Sequence, residues 1–382
     1  MPIASRAGYH KQKSVRQKLY DLNWFIVFII ICIACIGFAM LYSVAGGSVD
    51  PWAKNQFARF LIGLTAMVII ALIDVRVWMF LAYPFYIFAL SMLVIVDVMG
   101  VMGKGSQRWL DLGFMNLQPS ELMKIALVMA LARYFHCLSD DDTLKIKNLI
   151  KPIILIILPV VLVYRQPDLG TTLLIVMGGI TILFAAGVRL WLFVASAVAL
   201  IPATIGFWQF LKPYQKQRVL TFLDPEKDPL GTGYHIIQSK IALGSGGIYG
   251  KGFIQGTQSQ LNFLPEKHTD FIFTVIAEEL GLIGGLSLLL LYFILLGYAM
   301  IVSVSVKSQF GRLLVLGMVT TFFFYMFINI AMVMGLVPVV GVPLPLVSYG
   351  GSAMLTLLVG FGFIFSAAIH KETYIPRGGS FA

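Results

Sequence analysis

The chain has 382 residues, of which 59% are hydrophobic and only 12% are charged. A soluble domain carries about 25% charged residues, and a soluble protein of this size could not bury so many apolar side chains. Because a membrane helix needs about 20 apolar residues, this composition is enough for about ten spans. It excludes a soluble enzyme, a disordered chain and a protein with a single membrane anchor.

Long apolar runs, bounded by charged residues or by Gly and Pro, divide the chain into ten candidate helices. The two shortest, 57–73 and 150–165, are barely long enough to cross a bilayer. Membrane β-strands would alternate apolar and polar residues over about ten positions, whereas these runs are continuously apolar. We predict an all-α polytopic membrane protein with ten transmembrane helices, at 22–45, 57–73, 77–99, 118–137, 150–165, 170–187, 190–211, 271–303, 312–336 and 348–370.

The Lys and Arg residues predict the orientation of these helices. Five of them precede the first helix, and most of the others in short loops fall on the same side. Because positive charge accumulates in cytoplasmic loops, both termini are predicted to be cytoplasmic. The net charge of +10 largely reflects this bias, so membrane lipids are expected partners and nucleic acid is not.

The predicted topology makes 1–382 a single transmembrane domain. The first apolar run is too long for the core of a signal peptide, so we expect it to be retained as a helix. The domain has a cytoplasmic N-terminal tail, a large extracytoplasmic loop between helices 7 and 8, and a cytoplasmic C-terminal tail, at 1–21, 212–270 and 371–382.

The cysteines and histidines do not indicate a redox or metal site. Cys32 and Cys35 form a CxxC pair inside the first apolar run, where small core residues are the better interpretation. The five histidines never form a cluster with the spacing of metal ligands. The Gly-rich stretch 244–252 lacks the spacing and the βαβ context of a dinucleotide-binding loop. ATP or NAD chemistry therefore has no support.

Charged residues at the predicted external membrane edge are the candidates for function, because charges inside membrane helices are costly. Glu121 and Lys124, spaced i,i+3, form either a structural ion pair or a substrate contact. Asp168 and Asp270 each precede a helix, where Asp is a favoured N-cap. A partly desolvated Asp270 is alternatively suited to general-base chemistry. Glu278 and Glu279, further along that helix, must face partners or water.

The long external loop is large enough to close over a substrate. Residues 234–244 predict a short amphipathic helix in the membrane interface, with Gln238 and Lys240 among its polar positions. The Gly-rich stretch that follows is either a flexible connection or an anion site built from backbone N–H groups. Arg218 and Lys240 could meet lipid head groups or a substrate. Together these features suit an amphiphilic, anionic, lipid-linked substrate.

Six motifs cover nearly the whole chain after the first helix: GKGSQRWLDLG (103–113), LQPSELMKI (117–125), RQPDLGTTLL (165–174), DPLGTGYHIIQSKIALGSGGIYGKG (228–252), FLPEKHTDFIFTVIAEELG (263–281) and PVVGVPLPLVSYGGSAML (338–355). Together they resemble the SEDS family (shape, elongation, division and sporulation). The short ends of the chain and the motifs within 228–281 are more similar to the elongation members than to the division members.

This resemblance implies a peptidoglycan glycosyltransferase with ten membrane helices, which polymerises lipid II at the outer face of the bacterial cytoplasmic (inner) membrane during cell elongation. It implies a class B penicillin-binding protein and other elongation-complex membrane proteins as partners. It also implies that Asp270 is the essential residue. The predicted substrate-binding residues, from the motifs and the charge pattern together, are Arg108, Trp109, Gln118, Ser120, Glu121, Lys124, Asp168, Arg218, Gln238, Lys240 and Ser348.

The predicted mechanism is an inverting transfer in which Asp270 takes the proton of the acceptor hydroxyl. The charged undecaprenyl diphosphate leaving group needs electrostatic stabilisation more than protonation. Candidate cations are Arg108, Lys124, Arg218 and Lys240, with or without a divalent ion such as Mg²⁺ or Mn²⁺. Two alternatives are a lipid II transporter, which would place its polar site at the membrane midplane, and a non-catalytic scaffold of the elongation machinery.

Overall fold

The computed structural model describes residues 13–103, 106–111, 116–210, 213–227, 232–261, 263–264 and 266–377. In this part of the chain ten helices have 16 residues or more, and each overlaps one of the predicted apolar runs. Seven of the described helices are long and apolar enough to cross a membrane. The chain therefore has the architecture of a multi-pass helical membrane protein. The count of ten spans remains a prediction.

The elements of the first half are helices joined by short connections, with one small sheet. They are α1 Val15–Asp21, α2 Trp24–Val44, α3 Trp52–Leu72, α4 Val75–Met99, β1 Val101–Gly103, β2 Ser106–Asp111, β3 Asn116–Leu117, α5 Pro119–His136, α6 Asp140–Thr143, a 3₁₀ turn at Ile146–Leu149, α7 Ile150–Arg165, α8 Leu169–Ala185 and α9 Leu190–Phe210. The second half contains α10 Pro213–Leu223, a 3₁₀ turn at Pro225–Lys227, α11 Thr232–Ser245, α12 Thr257–Gln260, α13 Ile272–Ser305, α14 Gln309–Val333 and α15 Gly351–Ile369.

The centre of the bundle is formed by α5, α14 and α15, most of whose side chains are buried. Small residues let the backbones approach closely, as is common between membrane helices. A methyl group on Gly362 of α15 would lie 2.9 Å from the carbonyl oxygen of Met67 on α3. By contrast, α4, α7 and α9 expose large apolar side chains, as expected of helices that face lipid.

One end of the bundle, here called the tail end, carries the described residues that precede α2 and those that follow α15. Lys18 Nζ donates to the carbonyl oxygen of Leu72 at 2.8 Å, and Lys13 Nζ to that of Ile369 at 3.3 Å. The N–H of Lys307 donates to the carbonyl oxygen of Lys371 at 3.0 Å. The opposite end, here called the loop end, carries 100–103, 106–111, 116–118, 166–168, 246–261, 263–264, 266–271 and 338–350. The terminal residues 1–12 and 378–382 lie outside the described part of the chain.

The segment before α5 contains a small sheet, which the pattern of apolar runs at 77–99 and 118–137 does not predict. Its strands pair antiparallel in the order β1-β2-β3, and Leu110 lies opposite Leu117. The ladder satisfies backbone N–H and C=O groups that an irregular loop at this position would leave without partners. Arg108 and Trp109 therefore lie on a strand, β2, which fixes their direction.

The predicted helix over 234–244 is present as α11, and its inner face packs on the bundle. Ile236 and Ala242 are buried. Ser239 Oγ lies 3.0 Å from Thr274 Oγ1 of α13 and donates to the carbonyl oxygen of Val333, at the end of α14, at 2.8 Å. These contacts are not part of the amphipathic pattern from which the helix was predicted.

Candidate active site

Asp168 caps the N-terminus of α8 and gathers two other candidate residues. Its carboxylate accepts hydrogen bonds from the Thr171 N–H at 3.1 Å and the Thr171 hydroxyl at 2.9 Å. Gln118 Nε2 donates to the same carboxylate at 3.1 Å, and Arg108 Nη1 lies 3.6 Å from it. The capping interpretation of Asp168 is therefore confirmed, and the cap is also the centre of a polar cluster.

Arg108 is held at the turn between α7 and α8. Its guanidinium donates to the carbonyl oxygens of Gln166, at 3.2 Å, and Pro167, at 2.5 Å. Gln166 Nε2 in turn donates to the carbonyl oxygen of Leu93 at 3.1 Å. Arg108 thus joins β2 to the start of α8, and 29% of its side chain remains exposed.

Glu121 and Lys124 form a buried ion pair on the first turns of α5, with 2.8 Å between Lys124 Nζ and Glu121 Oε1. The hydroxyl of Tyr325 lies 2.7 Å from both Glu121 oxygens, and Lys124 also hydrogen-bonds to it. Since buried charges are costly without partners, this three-residue arrangement explains how both charges are tolerated. The ion-pair interpretation is confirmed, while a substrate contact by these residues remains a prediction.

Asp270 lies two residues before α13, whose N-cap position is Phe271. The interpretation of Asp270 as a helix cap is therefore wrong. Its backbone carbonyl accepts a hydrogen bond from Asn329 Nδ2 at 2.9 Å. Its carboxylate faces Gly341, where a methyl group would lie 3.3 Å from Asp270 Oδ2. The functional group of Asp270 thus packs against bare backbone of the Pro- and Gly-rich segment 338–350.

Ser348 ties this segment to the chain around Asp270. Its hydroxyl donates to the carbonyl oxygen of Thr269 at 2.5 Å and accepts from the Leu344 N–H at 2.7 Å. The N–H of Tyr349 donates to the carbonyl oxygen of His268 at 2.9 Å. Ser348 is buried, so the structure gives it a part in holding the backbone, and its predicted substrate contact stays a prediction.

One face of α3 holds the same two segments, which sequence reasoning did not foresee. The Trp52 ring stacks on the His268 ring with 4.6 Å between centroids. Gln56 donates to the carbonyl oxygen of Ser348 at 2.8 Å, and the Arg59 guanidinium lies 5.1 Å from the centroid of the Tyr349 ring. In the sequence, this face is indicated by polar or aromatic residues at i, i+4 and i+7 of a membrane helix, because residues at this spacing share one face.

The segment around Gly341 lies between the polar cluster around Asp168 and the chain around Asp270. A methyl group on Gly170, two residues after Asp168, would lie 2.7 Å from the carbonyl oxygen of Val340. Gly341, the next residue, faces Asp270. The start of α8 and the chain before α13 therefore meet the same stretch of backbone from two directions, which brings the two polar clusters to one end of the bundle.

The remaining predicted residues are less closely connected to these clusters. Ser120 is buried on α5, Trp109 and Gln238 are partly buried, and Lys240 is exposed on α11, with its side-chain end over Gly335. The backbone of Arg218 lies in α10, and its side chain is outside the described part. Within the described residues, no group of three His, Cys, Asp or Glu side chains could hold a metal ion.

Most of the chain is similar to proteins of one family. The sequence pattern of the FtsW/RodA/SpoVE family, described as cell cycle protein, matches residues 22–373. The chain therefore belongs to this family. Peptidoglycan glycosyltransferase MrdB of Escherichia coli (strain K12) is 47% identical to it over 335 residues, which cover 87% of the chain and 90% of that relative. The probable peptidoglycan glycosyltransferase FtsW of Trichlorobacter lovleyi is 35% identical over 364 residues, covering 93% and 94%.

Solved structures have the same fold. One chain, from work on the structural coordination of polymerization and crosslinking by a peptidoglycan synthase complex, superposes with a TM-score of 0.79 at 34% identity, covering 91% of this chain and 97% of that one. The rod shape determining protein RodA of Thermus thermophilus superposes with a TM-score of 0.70 at 26% identity, covering 92% and 98%.

Proposed function

We propose that this family member is a peptidoglycan glycosyltransferase that polymerises lipid II into glycan strands during cell elongation, with Asp270 as general base. The observation that carries the proposal is the setting of Asp270. Asn329 binds the backbone carbonyl of Asp270, Ser348 binds that of the preceding Thr269, and the Asp270 carboxylate packs against Gly341 at an end of the bundle. The relatives named peptidoglycan glycosyltransferase, at up to 47% identity, support the reaction class.

In the proposed reaction, the acceptor sugar hydroxyl attacks the anomeric carbon of the lipid-linked donor. The new C–O bond forms as the bond to the diphosphate breaks, and the hydroxyl proton passes to the Asp270 carboxylate. The undecaprenyl diphosphate leaves with the electron pair of the broken bond. One base on the attacking face is sufficient for inversion, by the geometric logic of inverting glycosidases. Asp270 then returns its proton to water.

The cations differ in how available they are to the leaving diphosphate. Lys124 is buried and paired with Glu121, so its charge is already balanced. Arg108 keeps part of its side chain exposed, and Lys240 is exposed on α11. We therefore assign the diphosphate contacts to Arg108 and Lys240, with Arg218 as a further candidate. Among the described residues, no group of three His, Cys, Asp or Glu side chains could hold a metal ion, and the proposed steps are written without a divalent ion.

The proposed topology has ten spans, with the loop end outside and the tail end in the cytoplasm of a bacterium. Residues 212–270 are then the extracytoplasmic loop of a single transmembrane domain, and lipid II reaches the site from the outer leaflet of the inner membrane. The proposed partners are a class B penicillin-binding protein, other elongation-complex membrane proteins and membrane lipids. Similarity to a chain of a complex described as coordinating polymerization and crosslinking supports the first of these.

Purified full-length protein, incubated in detergent with lipid II and followed by gel analysis of glycan chains, tests the proposal. The wild type is expected to form chains and Asp270→Asn to form none, because an amide cannot take the proton. Asp97→Asn, which alters an exposed carboxylate of α4, is the matched control and should keep full activity.

Chains that depend on Asp270 exclude a transporter or a scaffold, because detergent leaves no membrane to cross. Full activity of Asp270→Asn would remove the base assignment. If folded wild-type protein forms no glycan chains, the proposed glycosyltransferase activity is wrong.

A further inference from the structure

Helix α13 is broken near the loop end, and another part of the chain fills the break. At Gly281 the backbone has φ 66° and ψ −163°, which is not helical. The carbonyl oxygens of Glu278 and Glu279, which lose helical partners there, accept hydrogen bonds from the N–H groups of Lys251 and Gly252, both at 3.0 Å. On the other side of the break, the N–H of Leu282 donates to the carbonyl oxygen of Gly247 at 2.9 Å, and that of Ile283 to Ile248 at 3.2 Å.

The glycines of this loop allow the close approach. A methyl group on Gly246 would overlap the carbonyl oxygen of Ala277, and one on Gly250 would overlap that of Glu279. Gly281 itself lies against the backbone of Gly250. The Gly-rich stretch is therefore packed on α13, and its last two N–H groups, those of Lys251 and Gly252, donate to α13 carbonyls. This explains the glycines without an anion.

The Glu278 side chain binds the loop a second time. It is fully buried, and its carboxylate forms an ion pair with Lys251 at 2.8 Å. It also accepts hydrogen bonds from the N–H groups of Gln258, at 2.9 Å, and Ser259, at 3.3 Å, and from the Thr257 hydroxyl at 3.2 Å. One carboxylate thus organises both ends of residues 251–259.

Glu279 connects the same loop to α2. Its two oxygens lie 2.5 and 2.7 Å from the Ser43 hydroxyl, and it accepts from the Ile254 N–H at 3.1 Å. Gln260 Nε2 donates to the carbonyl oxygen of Ser43 at 2.9 Å. The two adjacent carboxylates therefore point to different partners and together hold the loop between α2 and α13. Residues 246–260 with Glu278 and Glu279 are called the clasp below.

The clasp is connected to the chain that carries Asp270. Lys267 is buried, and its ammonium donates to the carbonyl oxygen of Ser259 at 2.6 Å. The N–H of Ser259 is one of the groups that donate to Glu278. The Ser259 residue thus links the Glu278 carboxylate to Lys267, which lies three positions before Asp270.

We propose that Glu278 and Glu279 are positioning residues for glycan polymerisation: by holding the clasp, they fix through Ser259 and Lys267 the segment that places Asp270. This inference rests on the proposed role of Asp270. A displacement of about 1 Å of a reacting group, even when its cause is distant, can lower the rate about 100-fold. Loosening the clasp should therefore act on kcat, while substrate binding elsewhere on the loop end is retained.

The test measures kcat and KM with lipid II in detergent, together with thermal unfolding, for Lys267→Ala, Lys267→Arg, Glu278→Gln and Ser43→Ala. We expect folded Lys267→Ala and Glu278→Gln to lose about 10- to 100-fold in kcat, with KM within about twofold. Lys267→Arg keeps a donor to the Ser259 carbonyl and should recover most of the rate. Glu372→Gln, which removes the exposed ion pair with Lys307 at the tail end, is the control and should keep the wild-type kcat.

Unchanged kcat in folded Lys267→Ala and Glu278→Gln would overturn the inference. So would losses of rate that merely follow the loss of folded protein and are not recovered by Lys267→Arg. If Glu278→Gln does not fold, Ser43→Ala, which removes one Glu279 partner from the end of α2, replaces it under the same criteria. Asp270→Asn is measured in parallel: if it is fully active the base assignment fails, and if it is inactive while the clasp variants keep their kcat only this inference fails.

Discussion

Tyr325 and Asn329 lie one turn apart on α14, and they bind two different parts of the candidate active site. Tyr325 binds the Glu121–Lys124 pair, and Asn329 binds the backbone of Asp270. Residues at i and i+4 share a helix face about 6 Å apart along the axis. A single face of a buried helix therefore sets the distance between the ion pair on α5 and the proposed base before α13.

Asn329→Ala should lower both stability and activity. The side chain donates to the carbonyl oxygens of Asp270, at 2.9 Å, and Val342, at 2.7 Å. Removing it takes one donor from each of these carbonyl oxygens, at a cost of about 1–3 kcal/mol for the buried Val342 carbonyl, and loosens the backbone of Asp270. We expect a lower Tm and a reduced kcat for chain formation. Thr320→Val, whose hydroxyl bonds only within its own helix, is the control; equal effects of the two variants would contradict the prediction.

Variants of the Glu121–Lys124 pair should show whether the pair only stabilises the fold or also contacts the substrate. Removing one partner of a buried pair costs about 3–5 kcal/mol, whereas replacing both by apolar residues is often neutral. Lys124→Met is therefore expected to unfold at a much lower temperature than the double variant Glu121→Leu/Lys124→Met.

Activity of that double variant separates the two interpretations. If the pair is purely structural, the folded double variant should form glycan chains from lipid II. A stable but inactive double variant would show that one of these residues also contacts substrate. Lys54 forms an exposed ion pair with Asp50. The control variant Lys54→Met should change neither the unfolding temperature nor the formation of glycan chains.

Lys267 should make stability depend on pH in the alkaline range. Burial lowers the pKa of its ammonium from 10.5, and the charge of Glu279 opposes that shift. Between the lowered pKa and 10.5 the unfolded state binds more protons than the folded state, so the free energy of unfolding rises with pH in this window. Thermal unfolding across it should show a smaller rise for Lys267→Met than for wild type. Identical slopes would refute the prediction, and Lys307→Met, at an exposed position, is the control.

Two glycines of α13 should respond oppositely to alanine. Gly281 has φ 66° and lies against the backbone of Ile248 and Gly250, so Gly281→Ala adds strain of about 1–3 kcal/mol and an overlap. Gly297 has no atom within 4 Å of an added methyl group, and alanine there should stabilise the helix by about 0.5–1 kcal/mol. Thermal unfolding in detergent compares them. A higher Tm for Gly281→Ala would contradict the break that the structure describes.

Much of the fold could be predicted from hydropathy alone. The run at 150–165 has the bounds of α7, and the run at 190–211 ends one residue beyond α9. This succeeds because a bilayer requires long stretches of apolar residues whose backbone groups are satisfied within one helix. The sheet that carries Arg108 was missed, since strands of two to six residues leave too short an alternation to detect.

The candidate site was only partly predictable. Asp168, Glu121 and Lys124 stood out because each is a charge at a membrane-helix end, and local spacing predicted the cap and the ion pair. The same rule predicted a cap at Asp270, but α13 begins at Ile272, one residue later than a cap at Asp270 requires. Asn329, which binds the backbone carbonyl of Asp270, is 59 positions away in sequence, and no local pattern connects the two residues.

By itself, the sequence determined that this protein is a bundle of membrane helices whose scarce charges gather at the ends of those helices. These properties follow from the cost of moving charge and unpaired backbone into hydrocarbon, which acts on each segment separately. Only the tertiary structure decided which charges meet. The bonds of Tyr325 to Glu121 and of Ser43 to Glu279 join residues 204 and 236 positions apart, and such pairings depend on how whole helices pack.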